Sequence, residues 1–361
     1  MMRRRLGSFL LPFAAFLAAS GTAPAAEAPV GVYVWGGYYR EDASLAGLAA
    51  SLRFVLDRGF STIRIAVTPH RAEEMRLGAE ICPTHRDLGC FLDRILAEPV
   101  FQDPRLKTLM LTLSDFTTEP GRQLDPAFVA AHHEAIAGEY RGALAAIDRR
   151  LGGHPLDVVL SNWEGDNLVY CGGVYRYATD PRARLACAGG TQAGIKSRLD
   201  GLMAWLALRR EAVAGFHPRS PNLRLHDAVE FNSLHILEQE CKTGGCAPAL
   251  SVFKRLAAGP RPELCSYSAY DGLKRGMLEQ DIETMLRFCD KAIIGEIGFP
   301  GQAAAGYAAA APVVLRHRDR IFAIIFWNAF ESKNATDKGY GLWTAEGAPR
   351  AIDALPPSLR P

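Results

Sequence analysis

Two glutamates stand at the ends of apolar runs that have the composition of buried strands. Glu164 comes shortly after the run 156–160, and Glu296 follows the run 291–295 directly. A carboxylate at the end of a buried strand is costly unless it is paired or functional. Two carboxylates that face each other across a cleft can supply the acid/base and the nucleophile for hydrolysis of a glycosidic bond. Glu164 and Glu296 are therefore the candidate catalytic residues. The alternative is that each one pairs with an arginine, such as Arg64, and stabilises the rim.

Further polar and aromatic residues lie in or after strand-like runs, where they would line the same cleft. The candidate substrate-binding residues are Arg64, Trp35, Asn162, Trp163, Asp166, Asn167, Glu230, Tyr270 and Trp327. Tryptophan offers a flat apolar face for a sugar ring, although such side chains serve equally well in ordinary core or rim packing. The pattern indicates a carbohydrate substrate.

Strand-like and helix-like segments alternate along the chain, and this alternation predicts the scaffold. Strands are expected at 32–35, 62–67, 107–113, 156–160, 227–231, 265–270, 291–295 and 321–327, with helices at 45–56, 90–96, 126–151, 194–214, 249–256, 277–288 and 303–315. Alternation of this kind is typical of parallel α/β architecture. Eight units favour a closed (β/α)8 TIM barrel, whose active site lies at the carboxyl ends of the strands. No GxGxxG motif follows the first strand, which argues against a dinucleotide-binding sheet.

We predict a single catalytic domain over residues 27–361. The segment 170–190 carries two cysteines and shows little periodicity. It is expected to form a disulfide-tied loop over the barrel mouth.

The arrangement resembles glycoside hydrolase clan A, the group of cellulase-, mannanase- and xylosidase-like barrels. Clan members carry the acid/base after strand four and the nucleophile after strand seven, places that Glu164 and Glu296 match. They commonly have an arginine in strand two, an aromatic residue after strand six and a tryptophan after strand eight, which Arg64, Tyr270 and Trp327 match. The resemblance covers the whole mature chain and implies a retaining hydrolase. In such an enzyme Arg64 and the Tyr270 hydroxyl would hydrogen-bond Glu296 and keep it ionised.

One position departs from the clan pattern. Clan members usually have asparagine immediately before the acid/base, whereas Trp163 stands there in this chain and Asn162 lies one residue earlier. Asn162 or Asn167 would then contact the sugar 2-hydroxyl, and Asp166 is a rival acid/base. The resemblance therefore implies the clan and no particular family within it.

The start of the chain has the pattern of a secretory signal peptide. Three arginines at 3–5 precede an apolar stretch at 6–19 and small residues at 23–26, as in cleaved export signals. We expect residues 1–26 to be removed and the protein to be periplasmic or secreted. The apolar stretch is shorter than the ~20 residues of a spanning helix, and no membrane span is expected after cleavage.

Export makes the eight cysteines interpretable. Outside the cytoplasm an even number of cysteines suggests disulfides. Short loops close most easily, which favours bonds between neighbours in the sequence. The expected pairs are Cys82–Cys90, Cys171–Cys187, Cys241–Cys246 and Cys265–Cys289.

Composition and motifs argue against several other classes. The net charge of +2 gives no reason to expect a nucleic-acid partner. The chain has no CxxC pair and no HExxH motif, so we expect neither a metal nor a cofactor. Two alternatives to an enzyme stay open: a non-catalytic carbohydrate-binding barrel associated with exported polysaccharide, and a structural barrel stapled by disulfides.

Overall fold

The computed structural model describes residues 29–75, 82, 87–235, 250–301, 303–333 and 339–361. The strands are β1 (Val30–Val34), β2 (Thr62–Val67), β3 (Thr108–Leu113), β4 (Leu156–Ser161), β5 (Leu223–Phe231), β6 (Leu264–Ser268), β7 (Lys291–Ile297) and β8 (Ile321–Phe326). All of these strands are parallel and close in chain order, with β8 pairing to β1. The predicted (β/α)8 TIM barrel is confirmed.

Helices connect the strands on the outside of the barrel. They are α1 (Leu45–Leu56), α2 (Pro69–Glu74), α3 (Leu88–Leu96), α4 (Pro126–Ala131), α5 (His133–Arg150), α6 (Gly165–Val169), α7 (Val174–Thr179), α8 (Pro181–Ala186), α9 (Gln192–Ala214), α10 (Val252–Ala257), α11 (Tyr270–Lys274), α12 (Leu278–Phe288) and α13 (Ala303–Arg316). Several begin at a side-chain cap. Asp125, for example, accepts hydrogen bonds from the N–H groups of Ala127 and Phe128, which are otherwise orphan donors of the first turn.

One long predicted helix is two helices. The segment 126–151 was expected to be continuous, but it is divided into α4 and α5 at His132, whose backbone is not helical (φ −111°, ψ 15°). The imidazole Nδ1 of His132 lies 2.9 Å from the carbonyl of Phe128, and its ring stacks on the Phe128 ring. A side chain that bonds to the backbone in this way competes with the regular helix ladder.

The barrel interior is filled by one set of residues and the space between barrel and helices by another. The interior set is Tyr33, Ala66, Met110, Val159, Ala228, Leu264, Ile293, Ala323, Ile325 and Trp327. Because side chains of a strand alternate between its two faces, the remaining apolar strand residues pack against the helices. Side chains therefore fill the barrel interior and leave no open channel through it among the described residues. The place for a site in this barrel is its mouth.

The strand register shifts where β6 and β7 reach the mouth. The two strands pair regularly up to Tyr267 and Ile294, and then a bulge sets Ser268 opposite Glu296. A bulge re-aims the side chains at the end of a strand. The same end of β6 was predicted to continue to 270, but Tyr270 instead begins α11.

Three of the four predicted disulfides are formed, namely Cys82–Cys90, Cys171–Cys187 and Cys265–Cys289. The fourth pair, Cys241–Cys246, lies outside the described residues, as does the predicted signal peptide at 1–26. Within the described ranges, no helix combines the length and the apolar character that crossing a membrane requires.

The segment 170–190 has more regular structure than was predicted. It contains the short helices α7 and α8, with Val174 and Tyr177 of α7 buried against the barrel. The Cys171–Cys187 disulfide ties its two ends. The expectation of a disulfide-tied segment over the mouth is confirmed, because residues 172–176 line the cavity there.

Candidate active site

The mouth of the barrel holds a cavity of about 520 Å³ at the carboxyl ends of the strands. Its lining residues are Trp35, Trp163, Glu164, Asn167, Gly172, Gly173, Val174, Tyr175, Arg176, Asn232, Ser268, Tyr270, Asp271, Lys274, Glu296, Trp327 and Tyr340. Both candidate catalytic glutamates are among them. A cavity with aromatic walls and a few convergent polar groups has the usual composition of a small-ligand site.

Glu164 stands three residues beyond β4, at the start of α6. Its backbone adopts a positive φ of 20°, an uncommon conformation for a residue with a side chain. Its carboxylate is 7% exposed. One oxygen accepts a hydrogen bond from the Ser268 hydroxyl at 2.6 Å, and the other accepts from the Asn167 amide at 2.5 Å. The side chain is therefore held in place from two directions.

The environment of Glu164 raises its pKa to about 7. Burial is the main cause, because removing a carboxylate from water penalises its charged form. The hydrogen bonds from Ser268 and Asn167 act in the opposite direction, and the charges of Glu230 and Asp271 raise the pKa further. A carboxyl group with this pKa can hold a proton near neutral pH and also give it up.

Glu296 lies within β7 and is 2% exposed. Its Oε1 is 3.5 Å from Nη1 of Arg64, which favours the ionised carboxylate. The preceding Gly295 lets the β7 backbone pack directly against the Glu230 carboxylate, because a Cβ there would lie 2.2 Å from Oε2 of Glu230 and from the Ser266 hydroxyl. Glu296 is the register partner of Ser268, which donates to Glu164. Glu164 and Glu296 thus line the same cavity, with Ser268 beside both in the strand order.

Beneath the cavity, Arg64 is paired with a third carboxylate. Its guanidinium donates to both oxygens of Glu230, at 2.7 and 2.9 Å, and also to the Gly295 carbonyl and the Thr112 hydroxyl. Both partners of the pair are fully buried. Arg64 and Glu230 were predicted to bind substrate, but they lie below the described residues that line the cavity. The expected pairing of Arg64 with a catalytic glutamate is longer, at 3.5 Å to Glu296, than its two hydrogen bonds to Glu230.

Asn162 and Asp166 were also predicted to contact substrate, and in the structure both side chains form hydrogen bonds with backbone groups. The Asn162 side chain exchanges two hydrogen bonds with the backbone of Glu230, at 2.8 and 3.0 Å. Asp166 is fully buried and accepts from the N–H groups of Val252, Asn232 and Ser233. These side chains join the strand ends of β4 and β5 and the start of α10. Neither belongs to the described cavity lining, whereas Asn167 and Asn232 do.

Aromatic side chains form the walls. Trp35 and Trp327 lie 5.9 Å apart between ring centroids, and both line the cavity together with Trp163. Tyr270 lines the cavity as predicted, but its hydroxyl is buried without a hydrogen-bond partner among the described residues. The hydrogen bond expected between Tyr270 and Glu296 is therefore not formed. Burial, followed by the charges of Glu296 and Glu164, raises the Tyr270 pKa, so the phenol stays protonated.

Several lining residues were not predicted from the sequence, chiefly Ser268, Tyr340, Tyr175, Arg176 and Lys274. Ser268 ends a strand and would have been found by the rule that strand ends carry the site. Tyr340 reaches the mouth from the segment after β8 and packs edge-on to Tyr270. The others lie in α7 and α11, for which the sequence carries no strand-end signal.

Metal-ligand side chains approach one another at one place within the described ranges. Glu279, Glu283 and His317 form this group, which includes none of the residues that line the cavity. Arg316 already forms an ion pair with Glu279 at 2.7 Å.

The barrel is similar to solved structures at low sequence identity. The virulence factor SghA from Agrobacterium tumefaciens matches with a TM-score of 0.54 and 10% identity, over 90% of this chain and 98% of that one. An aphid myrosinase matches with a TM-score of 0.53 and 8% identity, over 88% of this chain and 93% of that one. A GH5-4 broad specificity endoglucanase from an uncultured bacterium matches with a TM-score of 0.50 and 12% identity, over 86% of this chain and 83% of that one. At these identities the likeness establishes the fold alone. No protein-family profile and no curated protein sequence matches the chain.

Proposed function

We propose that this protein is a retaining glycoside hydrolase that cleaves a poly- or oligosaccharide by double displacement. The observation that carries the proposal is the pair of buried glutamates in one cavity, held in contrasting environments. Glu296 lies beside the Arg64 guanidinium, whereas burial raises the pKa of Glu164 to about 7. Carboxyl groups whose environments differ in this way divide naturally into a nucleophile and an acid/base. The fold shared with a myrosinase and an endoglucanase agrees with this assignment.

The reaction would proceed in two steps. In the first, the Glu296 carboxylate attacks the anomeric carbon while Glu164 donates its proton to the departing glycosidic oxygen. In the second, Glu164 accepts a proton from water, and that water displaces Glu296 from the sugar. Trp35, Trp163 and Trp327 would hold the ring by apolar contact. A retaining mechanism requires the two carboxyl groups to be about 5–5.5 Å apart.

Turnover of a glycan panel tests the proposal. We expect release of reducing ends from at least one poly- or oligosaccharide, and NMR of the first-formed product should show the anomeric configuration of the substrate. Saccharide binding without turnover across the panel would favour the non-catalytic barrel, and an inverted product would contradict double displacement.

Activity is expected to fall as pH rises through about 7. Glu164 must be protonated to act as the acid in the first step, and its pKa is raised to about 7 by burial. The alkaline limb of kcat/KM reports the free enzyme's essential acid, so this limb should lie near that pH. A pH profile on an unactivated substrate measures it. Full activity at pH 9 would exclude Glu164 as the acid.

Replacement of Ser268 with alanine is expected to move the alkaline limb to higher pH. The Ser268 hydroxyl donates to Glu164 and lowers its pKa, so its removal favours the protonated carboxyl. The matched control is Ser266→Ala on the same strand, because that hydroxyl donates to Glu230 at 2.8 Å. The control should move the limb less. If kcat/KM falls at the same alkaline pH in the wild-type protein and in Ser268→Ala, this hydrogen bond does not set the pKa of Glu164.

We also propose that the protein acts outside the cytoplasm. Three disulfides are formed between cysteines that are neighbours in the sequence, and such bonds persist in oxidising compartments. The basic and apolar pattern of residues 1–26 agrees with export. Mass spectrometry of the protein recovered from periplasm or medium should find an N-terminus near residue 27.

A further inference from the structure

Two cationic side chains of the cavity lining take part in no ion pair with the described residues. Arg176 of α7 and Lys274 of α11 are exposed and belong to the lining. The side chain of neither residue forms a hydrogen bond or ion pair with any described residue, whereas most other described arginines have such a partner. The acidic residues of the described lining are Glu164, Glu296 and Asp271. The two glutamates are almost fully buried, so toward solvent the two cations outnumber the one partly buried carboxylate of Asp271.

An exposed aromatic ring lies beside these cations. Tyr175 is 55% exposed, which is high for a large apolar side chain, and it belongs to the same lining. The guanidinium of Arg275 lies 6.0 Å from the centre of its ring. This contact joins α7 to the end of α11 across the mouth. A flat ring between cationic groups offers stacking to a sugar ring and charge to an anionic substituent.

The α7 wall is held in a fixed position. The Cys171–Cys187 disulfide closes the segment, and the Arg198 guanidinium donates to the carbonyls of Leu168 and Val169 at 2.8 and 2.7 Å. The Tyr177 ring, on the buried side of α7, packs against the ring of Tyr170. Arg176 and Tyr175 are therefore presented from a rigid support.

The α11 wall is equally constrained. Gly272 sits directly over a buried pair in which the Tyr267 hydroxyl donates to Asp281 at 2.5 Å. A Cβ at Gly272 would lie 2.2 Å from the Asp281 carboxylate, so α11 packs as closely as a glycine permits. Lys274 thus extends from a helix whose position is set by the core. Binding groups on preorganised walls lose little entropy when a ligand arrives.

We infer that Tyr175, Arg176 and Lys274 form an outer subsite for an anionic sugar residue, and that the natural substrate is an acidic saccharide. The charged substituent is a carboxylate or a sulfate ester, since both present anionic oxygens to a guanidinium and an ammonium. This inference rests on the proposed function, because it assigns the sugar that lies beyond the bond to be cleaved. Bond cleavage itself stays with Glu164 and Glu296.

The test compares acidic and neutral saccharides on wild type and on the double variant Arg176→Gln/Lys274→Gln. Probes are oligogalacturonates and glucuronate-containing oligosaccharides for the carboxylate, chondroitin sulfate oligosaccharides for the sulfate, and cello- and manno-oligosaccharides as neutral sugars. Calorimetric affinity and kcat/KM are both measured. The double variant should lower the acidic-to-neutral preference about ten- to hundredfold, the size expected for charge-assisted hydrogen bonds. Added salt should reduce the wild-type preference by screening.

Arg182→Gln is the matched control. Arg182 is exposed in α8, within the same disulfide-closed segment, and lies outside the described cavity lining. It should keep the wild-type preference. A wild-type protein that cleaves neutral saccharides and shows no acidic preference would overturn the inference and leave the proposed function standing. Tighter binding of acidic than of neutral saccharides without any turnover would support the outer subsite and overturn the proposed function.

Discussion

The Glu296→Ala variant is expected to lose at least about 10⁴-fold in kcat on any saccharide that the wild-type protein cleaves. Alanine cannot attack the anomeric carbon, so no glycosyl-enzyme intermediate forms. The side chain is 2% exposed and faces a polar site, and the smaller residue should be tolerated by the fold. Initial rates measure the loss, with circular dichroism to verify that the variant is folded.

The control for Glu296→Ala is Glu283→Gln, which changes an exposed glutamate on α12 and should leave the rate unchanged. In Glu296→Gly, azide should restore turnover and yield a glycosyl azide of inverted configuration, because the small anion enters the vacated space. Retention of near wild-type activity by Glu296→Ala would remove this residue from the mechanism.

Replacement of Arg64 with methionine is expected to destabilise the protein by about 3–5 kcal/mol, the usual cost of breaking a buried ion pair from one side. Arg64 is fully buried and donates two hydrogen bonds to Glu230. Methionine would leave the Glu230 carboxylate buried without its cation and would take the neighbouring cation from Glu296. Urea denaturation measures the change in the free energy of unfolding. Activity should fall as well, because the Arg64 guanidinium lies 3.5 Å from Glu296.

The double variant Arg64→Met/Glu230→Met shows how much of the destabilisation in Arg64→Met comes from the lost attraction within the pair and how much from the Glu230 charge left without its cation. Replacing both members of a buried pair with apolar residues is often neutral or stabilising, so the double variant should be more stable than Arg64→Met. If Arg64→Met has the same free energy of unfolding as the wild-type protein, the Arg64–Glu230 pair does not stabilise the fold.

The barrel could be predicted because its signal is repeated along the whole chain. Each strand is a short apolar run, and a run such as 62–67 coincides with the observed strand. The ends were harder to place: β5 begins at Leu223, but residues 224–227 are exposed or partly exposed and three of these four are polar. These residues lie at the amino end of β5, away from the mouth, where Arg224 and His226 pair with Asp157 of β4. Polar cross-strand pairs of this kind hide a strand end from a search for apolar runs.

Glu164 and Glu296 could be placed in one cavity because closed parallel strands bring their carboxyl ends together. The role of Glu230 could not be predicted in the same way. Like Glu296, it lies near the carboxyl end of a strand, and only the three-dimensional packing shows that it is turned toward Arg64 and fully buried. Asp166 is a similar case, since its three backbone donors come from two separate segments.

The mouth was the least predictable part of the molecule. Tyr175 and Arg176 occur in a stretch without clear periodicity, because α7 is only six residues long. Its position is set by the Cys171–Cys187 disulfide and by the packing of Tyr177 on Tyr170, which are tertiary constraints. Short elements held by such contacts leave little pattern in a sequence.

Covalent trapping tests the central claim most directly. A 2-fluoro aryl glycoside of the sugar that the protein cleaves fastest slows the second step and lets the glycosyl-enzyme accumulate. Intact mass should then rise by one fluoroglycosyl unit, and peptide mapping should locate the label on Glu296. A label on Glu164, Glu230 or any other side chain, or turnover to an inverted product without a label, would contradict the assignment.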